Sequence, residues 1–357
     1  MRQRLQSTQT DTVDLRSDTV TQPTAAMYEK MSSAPIGDDG LDGDPTARKL
    51  ESVAAEILRK EAGLFVPSCT MANLIAALAQ AERNEQVVLE ASAHMFTSER
   101  GSAALTGLFY VTVNGTNGAM DLELLEETLL YDRSNLKCGL VCMETSHNNA
   151  SGAVLPLEHM RAVYELAHVN GINVHLDGAR MFNAAVALGV SPAKVGENAD
   201  TISVCLSKGL SAPVGAVLVG RRETIKKAKF LRKILGGTQR QVGIMAAAGL
   251  EAVQQMVQRL AEDHARAQQL SSGVNGLAAL GATFPQTNIV QIDVSRTGLD
   301  SARWSAELEA LGILARPWGR HRLRCVTHRH ITDRDIDRAV SAFRDIAEKV
   351  SVGQEFS

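Results

Sequence analysis

The sequence predicts an α/β fold, with a mostly parallel sheet flanked by helices and a smaller α+β C-terminal domain. Three observations carry that expectation. Short apolar runs alternate with helical patterns over the first two thirds of the chain, as crossover units feeding a parallel sheet require. One pair of runs, TISVCLS (201–207) and GAVLVG (215–220), is too close together for a helical crossover, so the second is expected to run antiparallel. From about residue 222 the pattern changes to a long Lys/Arg- and Ala-rich helical stretch, followed by strands and helices on a smaller scale.

Taken in order, TARKLESVAAEILRK (46–60) sets Leu50, Val53, Ala54, Ile57 and Leu58 on one helical face. GLFVP (63–67) reads as a strand, Ser68-Cys69-Thr70 as a turn of small residues, MANLIAALAQAER (71–83) as a helix and QVVLE (86–90) as the next strand. GLVCME (139–144), INVHLD (172–177) and TISVCLS are strand-like, and LEHMRAVYELAHVNG (157–171) is helical. After the helical stretch 222–280 come NIVQIDV (288–294), a helix near 300–311, ILARP (313–317), RLRCVTH (322–328) and a last helix from Asp333. The expected division is an N-terminal arm (1–30), a large domain (31–255) and a small C-terminal domain (256–357).

The bulk properties narrow the function. With 357 residues, 45% hydrophobic and 22% charged, the chain has the balance of a soluble globular protein. A net charge of −3 gives no field toward nucleic acid or an anionic membrane. The arginines at 316, 320, 322, 324, 329, 334 and 338 lack interleaved aromatics and do not make a nucleic-acid patch. MRQRLQSTQTD contains no apolar core, so it does not read as a secretory signal, and no apolar run approaches the roughly 20 residues of a membrane span. The expected location is cytoplasmic. Five cysteines without a C-x-x-C pair argue against a disulfide framework and a zinc site, and no metal is expected.

Three elements at the ends of predicted strands could carry chemistry. Asp177 closes the run Val174-His175-Leu176 and precedes Gly178-Ala179-Arg180. A carboxylate there is costly unless it meets a cation, and a protonated pyridine nitrogen is one; an Asp in that place is equally an ordinary helix cap. Lys208, in Ser207-Lys208-Gly209, directly follows an apolar strand. Partial desolvation there would lower its pKa, as Schiff-base chemistry needs, although a lone lysine at a strand end is usually a surface residue. Ser68-Cys69-Thr70 lies between a strand and a helix, where backbone N–H groups could hold a phosphate.

Together with DLRSDTVTQPT (14–24), DGDPTARKLE (42–51), VPSCTMANLIA (66–76), VHLDGARMFNAAVALGV (174–190), SVCLSKGLSAPVGAVLVG (203–220) and QRQVGIMAAAGL (239–250), these elements resemble the L-threonine aldolases. Those are members of the β-eliminating-lyase group of fold-type-I pyridoxal-phosphate enzymes, and the resemblance runs from about residue 14 to 340. It implies a seven-stranded, transferase-like sheet and pyridoxal 5'-phosphate as cofactor. By the same resemblance Lys208 carries the cofactor as a Schiff base, Asp177 pairs its pyridine nitrogen, and Arg180 lies near its phenolic oxygen and the substrate carboxylate. Ser68, Cys69 and Thr70 resemble the phosphate cradle, although relatives usually carry glycine where Cys69 stands. Arg240 resembles an arginine that completes a phosphate site across a subunit contact, implying a dimer or tetramer.

His94, in ASAHMFTSERG, matches a histidine that stacks on the cofactor and accepts the substrate's β-hydroxyl proton, and Glu99 matches an active-site acid. Ser17 and Arg324 resemble residues gripping the substrate carboxylate. His147, in Glu144-Thr145-Ser146-His147-Asn148, matches a further substrate-side residue. Two departures bear on specificity: Leu41 stands near the place of a tyrosine that borders the substrate, and Ser134 near that of a second histidine. The implied substrate is a small amino acid, and the implied reaction is cleavage of L-threonine, L-allo-threonine or phenylserine-type β-hydroxy amino acids to glycine and an aldehyde. β-Elimination, racemisation or transamination on the same cofactor is the alternative. A cofactor-binding regulator without turnover would need no base such as His94. Dinucleotide and nucleotide-hydrolase motifs are missing.

Overall fold

The computed structural model describes residues 12–130 and 136–351; Ser134 and the residues before 12 lie outside them. Two compact units divide the chain: Thr21–Leu260 forms the larger, and the residues up to Val20 together with Ala261–Ser357 form the smaller.

The larger unit is built on seven strands: β1 (Ala62–Val66), β2 (Gln86–Glu90), β3 (Phe109–Val113), β4 (Cys138–Glu144), β5 (Asn173–Gly178), β6 (Thr201–Cys205) and β7 (Ala216–Gly220). Their order across the sheet is β1-β7-β6-β5-β4-β2-β3. β7 is antiparallel to both β6 and β1, and the pairings among β2 to β6 are parallel. The short connection before GAVLVG therefore has the consequence expected of it. Every residue of β6 and β7 is buried, which is why those strands read as continuous apolar runs. β3 was not foreseen, because as an edge strand it is partly exposed and its residues do not form an uninterrupted apolar run.

The helix Cys69–Gln80 packs over β5, β6 and β7. Ser68 starts it, its hydroxyl accepting a hydrogen bond from the Met71 N–H at 3.1 Å. The register across the parallel strands sets Glu144 of β4 opposite Asp177 of β5, and Asp177 opposite Ser203 of β6. Gly178 permits this close approach: a Cβ there would lie 2.6 Å from the Ser203 carbonyl oxygen. Side chains at the carboxyl ends of β4, β5 and β6 are thereby gathered in one row, the usual place for function in such sheets. The long helical stretch resolves into Arg222–Ile234, Gly243–Gln255 and Leu260–Asn275.

The smaller unit holds an antiparallel sheet in the order Gly281–Ala282, Ile289–Asp293, Arg322–Val326, Arg316–Pro317. The strand Val13–Asp14 pairs in parallel with Ile313–Leu314, so the start of the described chain belongs to this unit. Trp304 and Phe343 stack at 5.8 Å in its core, and the indole N–H donates to the Thr297 hydroxyl at 2.9 Å.

Candidate active site

Asp177 is buried at the end of β5. Its Oδ1 accepts from the Ala179 N–H at 3.0 Å and its Oδ2 from Asn73 Nδ2 at 3.0 Å. Burial pushes its carboxyl up to about 6; Glu144 and Glu99 add to the rise, and Lys208 and His94 oppose it. The side chain is a buried anion within electrostatic reach of cations, not merely a cap at a helix start.

Behind Asp177 lies a chain of polar side chains that the sequence did not single out. Asn73 Oδ1 accepts from the Ser203 hydroxyl at 2.7 Å and lies 3.1 Å from His175 Nε2. His175 Nδ1 is 2.9 Å from the Thr201 hydroxyl, which accepts from Gln80 Nε2 at 2.7 Å. Burial pushes His175 down to about 4, so its ring is neutral. The bonding order fixes its tautomer: Thr201 donates to Nδ1, and Nε2 donates to Asn73. The available signal was the seven-residue spacing of Asn73 and Gln80, two turns apart on an otherwise apolar helix face.

His94 and Glu99 form the second half of the site. His94 Nδ1 lies 3.1 Å from Glu99 Oε1, with Glu99 almost wholly buried. The hydrogen bond to Glu99 holds the His94 pKa above its ordinary value, although burial works against it. The His94 backbone N–H donates to Glu144 Oε2 at 2.7 Å, and the Asn148 N–H donates to Glu144 Oε1 at 2.8 Å. Glu144, between Asp177 and His94, is thus a carboxylate occupied by two backbone donors.

Lys208 follows β6, its carbonyl accepting from the Thr21 hydroxyl at 2.8 Å. The expected lowering of its pKa is not found. Burial works downward, as does Arg180, but Cys205, Cys69 and Asp177 outweigh both and hold the amine above its ordinary value. Arg180 is buried, and its Nη1 donates to Asn148 Oδ1 at 3.2 Å. Cys69 turns its thiol toward the sheet, 3.5 Å from the Ser203 hydroxyl, so its side chain does not fill the turn. Thr70 donates to Glu99.

The remaining expected site residues fall in three places. Ser17 and Arg324 come together in the smaller unit. Arg324 is buried, donates to the Arg16 carbonyl at 3.4 Å and stacks over the Trp318 ring at 5.1 Å, and the Ser17 hydroxyl accepts from Thr19 Oγ1 at 2.9 Å. Leu41 is 78% exposed in this chain. Arg240 also lies at the surface, 3.4 Å from Asp38. His147 is wholly buried, with Nε2 3.2 Å from Glu90 and 3.7 Å from Glu144, and Nδ1 accepting from the Ala150 N–H at 3.2 Å.

The donor set fits the cofactor implied by the sequence. A buried carboxylate at the Asp177 position suits a pyridinium, and a half-buried primary amine at Lys208 suits a Schiff base. The first-turn N–H groups of the helix Cys69–Gln80 suit a phosphate, since the first four N–H groups of a helix have no partner within it.

A mostly parallel seven-stranded sheet with a lysine and a carboxylate at adjoining strand ends is the architecture of the fold-type-I pyridoxal-phosphate enzymes. The family model of the beta-eliminating lyases matches residues 14–297. The low-specificity L-threonine aldolase 1 of Arabidopsis thaliana is 41% identical over 345 residues, covering 93% of this chain and 95% of that protein. The low specificity L-threonine aldolase of Escherichia coli strain K12 is 42% identical over 255 residues, covering 71% of this chain and 76% of that protein. The solved threonine aldolase of Leishmania major superposes with a TM-score of 0.81 at 18% identity, covering 94% of this chain and 99% of that one. The chain belongs to the beta-eliminating lyase family, in its threonine-aldolase group.

Proposed function

We propose that this chain is a pyridoxal-phosphate-dependent aldolase that cleaves L-β-hydroxy-α-amino acids to glycine and an aldehyde. L-Threonine, L-allo-threonine and phenylserine-type compounds are its substrates. The observation that carries the reading is the pairing of a buried Asp177, fixed by two donors, with a base pair, His94–Glu99, tied to the same carboxylate cluster.

When bound, the cofactor supplies a sink for the electron pair left on Cα as the Cα–Cβ bond breaks. Lys208 would hold it covalently, Asp177 would keep its ring nitrogen protonated, and the turn Ser68-Cys69-Thr70 would receive its phosphate. With Nδ1–H donated to Glu99, His94 Nε2 is left as the nitrogen that takes the β-hydroxyl proton. Glu99 then stabilises the charged imidazole. Arg180 orients the substrate carboxylate; the same role for Ser17 and Arg324 rests on the resemblance. Orientation matters because the β-hydroxyl must meet His94 Nε2 for its proton to be taken.

Self-association as a dimer or tetramer is part of the reading, supported by a surface Arg240 beside the acidic loop. A cytoplasmic location is proposed as well; no helix among the described residues is long and apolar enough to cross a membrane.

The test is incubation of the reconstituted protein with L-threonine. Glycine and acetaldehyde are expected, whereas 2-ketobutyrate and ammonia would point to elimination instead. Lys208→Ala should fold, as read by circular dichroism, but lose turnover and the visible absorbance of bound cofactor. Full activity in that variant would overturn the assignment.

A further inference from the structure

We propose that Asn73 is a positioning residue for the reaction: its amide aims Asp177 at the cofactor's ring nitrogen and couples that carboxylate to the His94–Glu99 pair. The inference rests on the functional reading above and deepens it.

Asn73 is buried on the helix Cys69–Gln80, whose other sheet-facing positions include Ala72, Ile75, Ala76 and Ala79. An amide there needs all its hydrogen bonds, because a buried unsatisfied polar group is costly. It has them, and they are sorted by end. Two donors, Ser203 Oγ at 2.7 Å and His175 Nε2 at 3.1 Å, converge on Oδ1. Two carboxylates share Nδ2: Asp177 Oδ2 at 3.0 Å and Glu99 at 3.3 and 3.5 Å. The donors behind the amide forbid a flip, since reversing it would set NH2 against Ser203 and His175 and oxygen against two anions. The Thr201–Gln80 bonds in turn fix the His175 tautomer.

A packing role alone would not demand this polarity. One amide group spans the two carboxylates that the reaction uses for different purposes: Asp177 for the ring nitrogen, Glu99 for the proton-accepting histidine. Holding both from one rigid helix keeps the ring and the base in register. Losing the donor leaves the Asp177 anion less stabilised and raises its proton affinity, so the proton shared with the ring nitrogen shifts toward the carboxylate.

The experiment uses the full protein reconstituted with pyridoxal phosphate labelled with 15N in the ring. In Asn73→Leu, similar in volume, the ring-nitrogen resonance should move toward the unprotonated value. Turnover of L-threonine should fall roughly 10- to 100-fold, as expected for one hydrogen bond to a charged group, with KM changed far less. Should Asn73→Leu fail to fold, Ser203→Ala decides the matter. It frees the back of the amide and should move the resonance the same way by a smaller amount. An unmoved resonance in a folded Asn73→Leu, or in Ser203→Ala when that variant decides, would overturn the assignment. A wild type that takes up no pyridoxal phosphate would overturn the functional reading itself, which separates the two failures.

Discussion

His94 Nδ1 and Glu99 Oε1 stand 3.1 Å apart, with the imidazole a third exposed and the carboxylate only 6% exposed. The buried member of the pair sets the proton affinity of the accessible one. Because Glu99 holds the His94 pKa above its ordinary value, His94 is fully able to accept a proton only above that raised pKa, and activity should fall as pH drops through it. Glu99→Gln removes the charge, lowers the His94 pKa and should move the acid limb of kcat/KM to lower pH. Its plateau rate should drop about tenfold or more as the base weakens. An acid limb that stays in place or moves upward would remove His94 from the role of base.

Asp177 makes cofactor affinity depend on pH in a defined direction. Its carboxyl is pushed up to about 6 in the cofactor-free chain, so it is ionised above that value and neutral below. The ionised form is the one that holds a pyridinium. Affinity for pyridoxal phosphate should therefore be full above about pH 6 and weaken by up to about tenfold per unit below it. In Asp177→Ala this component disappears, and turnover should fall by a factor of about 100 or more. A binding curve of the same shape in both proteins, measured by fluorescence, would contradict the pairing.

Arg240 and Leu41 share an exposed region: a Cβ at Gly40 would lie 2.6 Å from Arg240 Nη1, and Leu41 is the next residue. Sedimentation should show a dimer or a tetramer. Arg240→Ala should keep that assembly while weakening pyridoxal-phosphate binding about tenfold, the loss of one charge-assisted contact. Full cofactor binding by a monomer would rule this out.

Leu41 in place of a tyrosine should widen substrate choice if it acts in a neighbouring subunit's site. Burying a phenyl ring instead of a methyl group adds roughly 1–3 kcal/mol of transfer energy, or one to two powers of ten in specificity. Phenylserine diastereomers should be cleaved at least as well as L-threonine, and Leu41→Tyr should shift preference toward the smaller substrates. Specificity constants for L-threonine, L-allo-threonine and both L-phenylserines decide it; a strong preference for either threonine isomer would refute the expectation.

The residues legible in the sequence were those at the ends of buried strands. Asp177 and Lys208 interrupt apolar runs, and an interruption at a strand end has few physical explanations. Asn73 and Gln80 were not legible, because their partners Thr201, Ser203 and Asp177 are more than a hundred positions away and a polar residue within a helix has many ordinary uses. The neighbours of His147 were not legible either, since a motif match carries no information on the two glutamates, Glu90 and Glu144, that the fold sets beside its ring. The raised Lys208 pKa was not legible because, beside Cys205 of the strand before it, the groups that outweigh desolvation are Cys69 and Asp177, brought in from distant parts of the chain.

The parallel pairing of Val13–Asp14 with Ile313–Leu314 has a consequence for how the chain is made. On the ribosome the residues of the larger unit, Thr21–Leu260, emerge before the partner of the first strand exists. That unit can condense on its own contacts, while the strand Val13–Asp14 must wait, unpaired, until Ile313–Leu314 has been made. Its docking is among the most non-local steps in the molecule and belongs late in folding. A ribosome stalled once Leu260 has cleared the exit tunnel should therefore carry a protease-resistant sheet, with the chain around Val13–Val20 still open to protease.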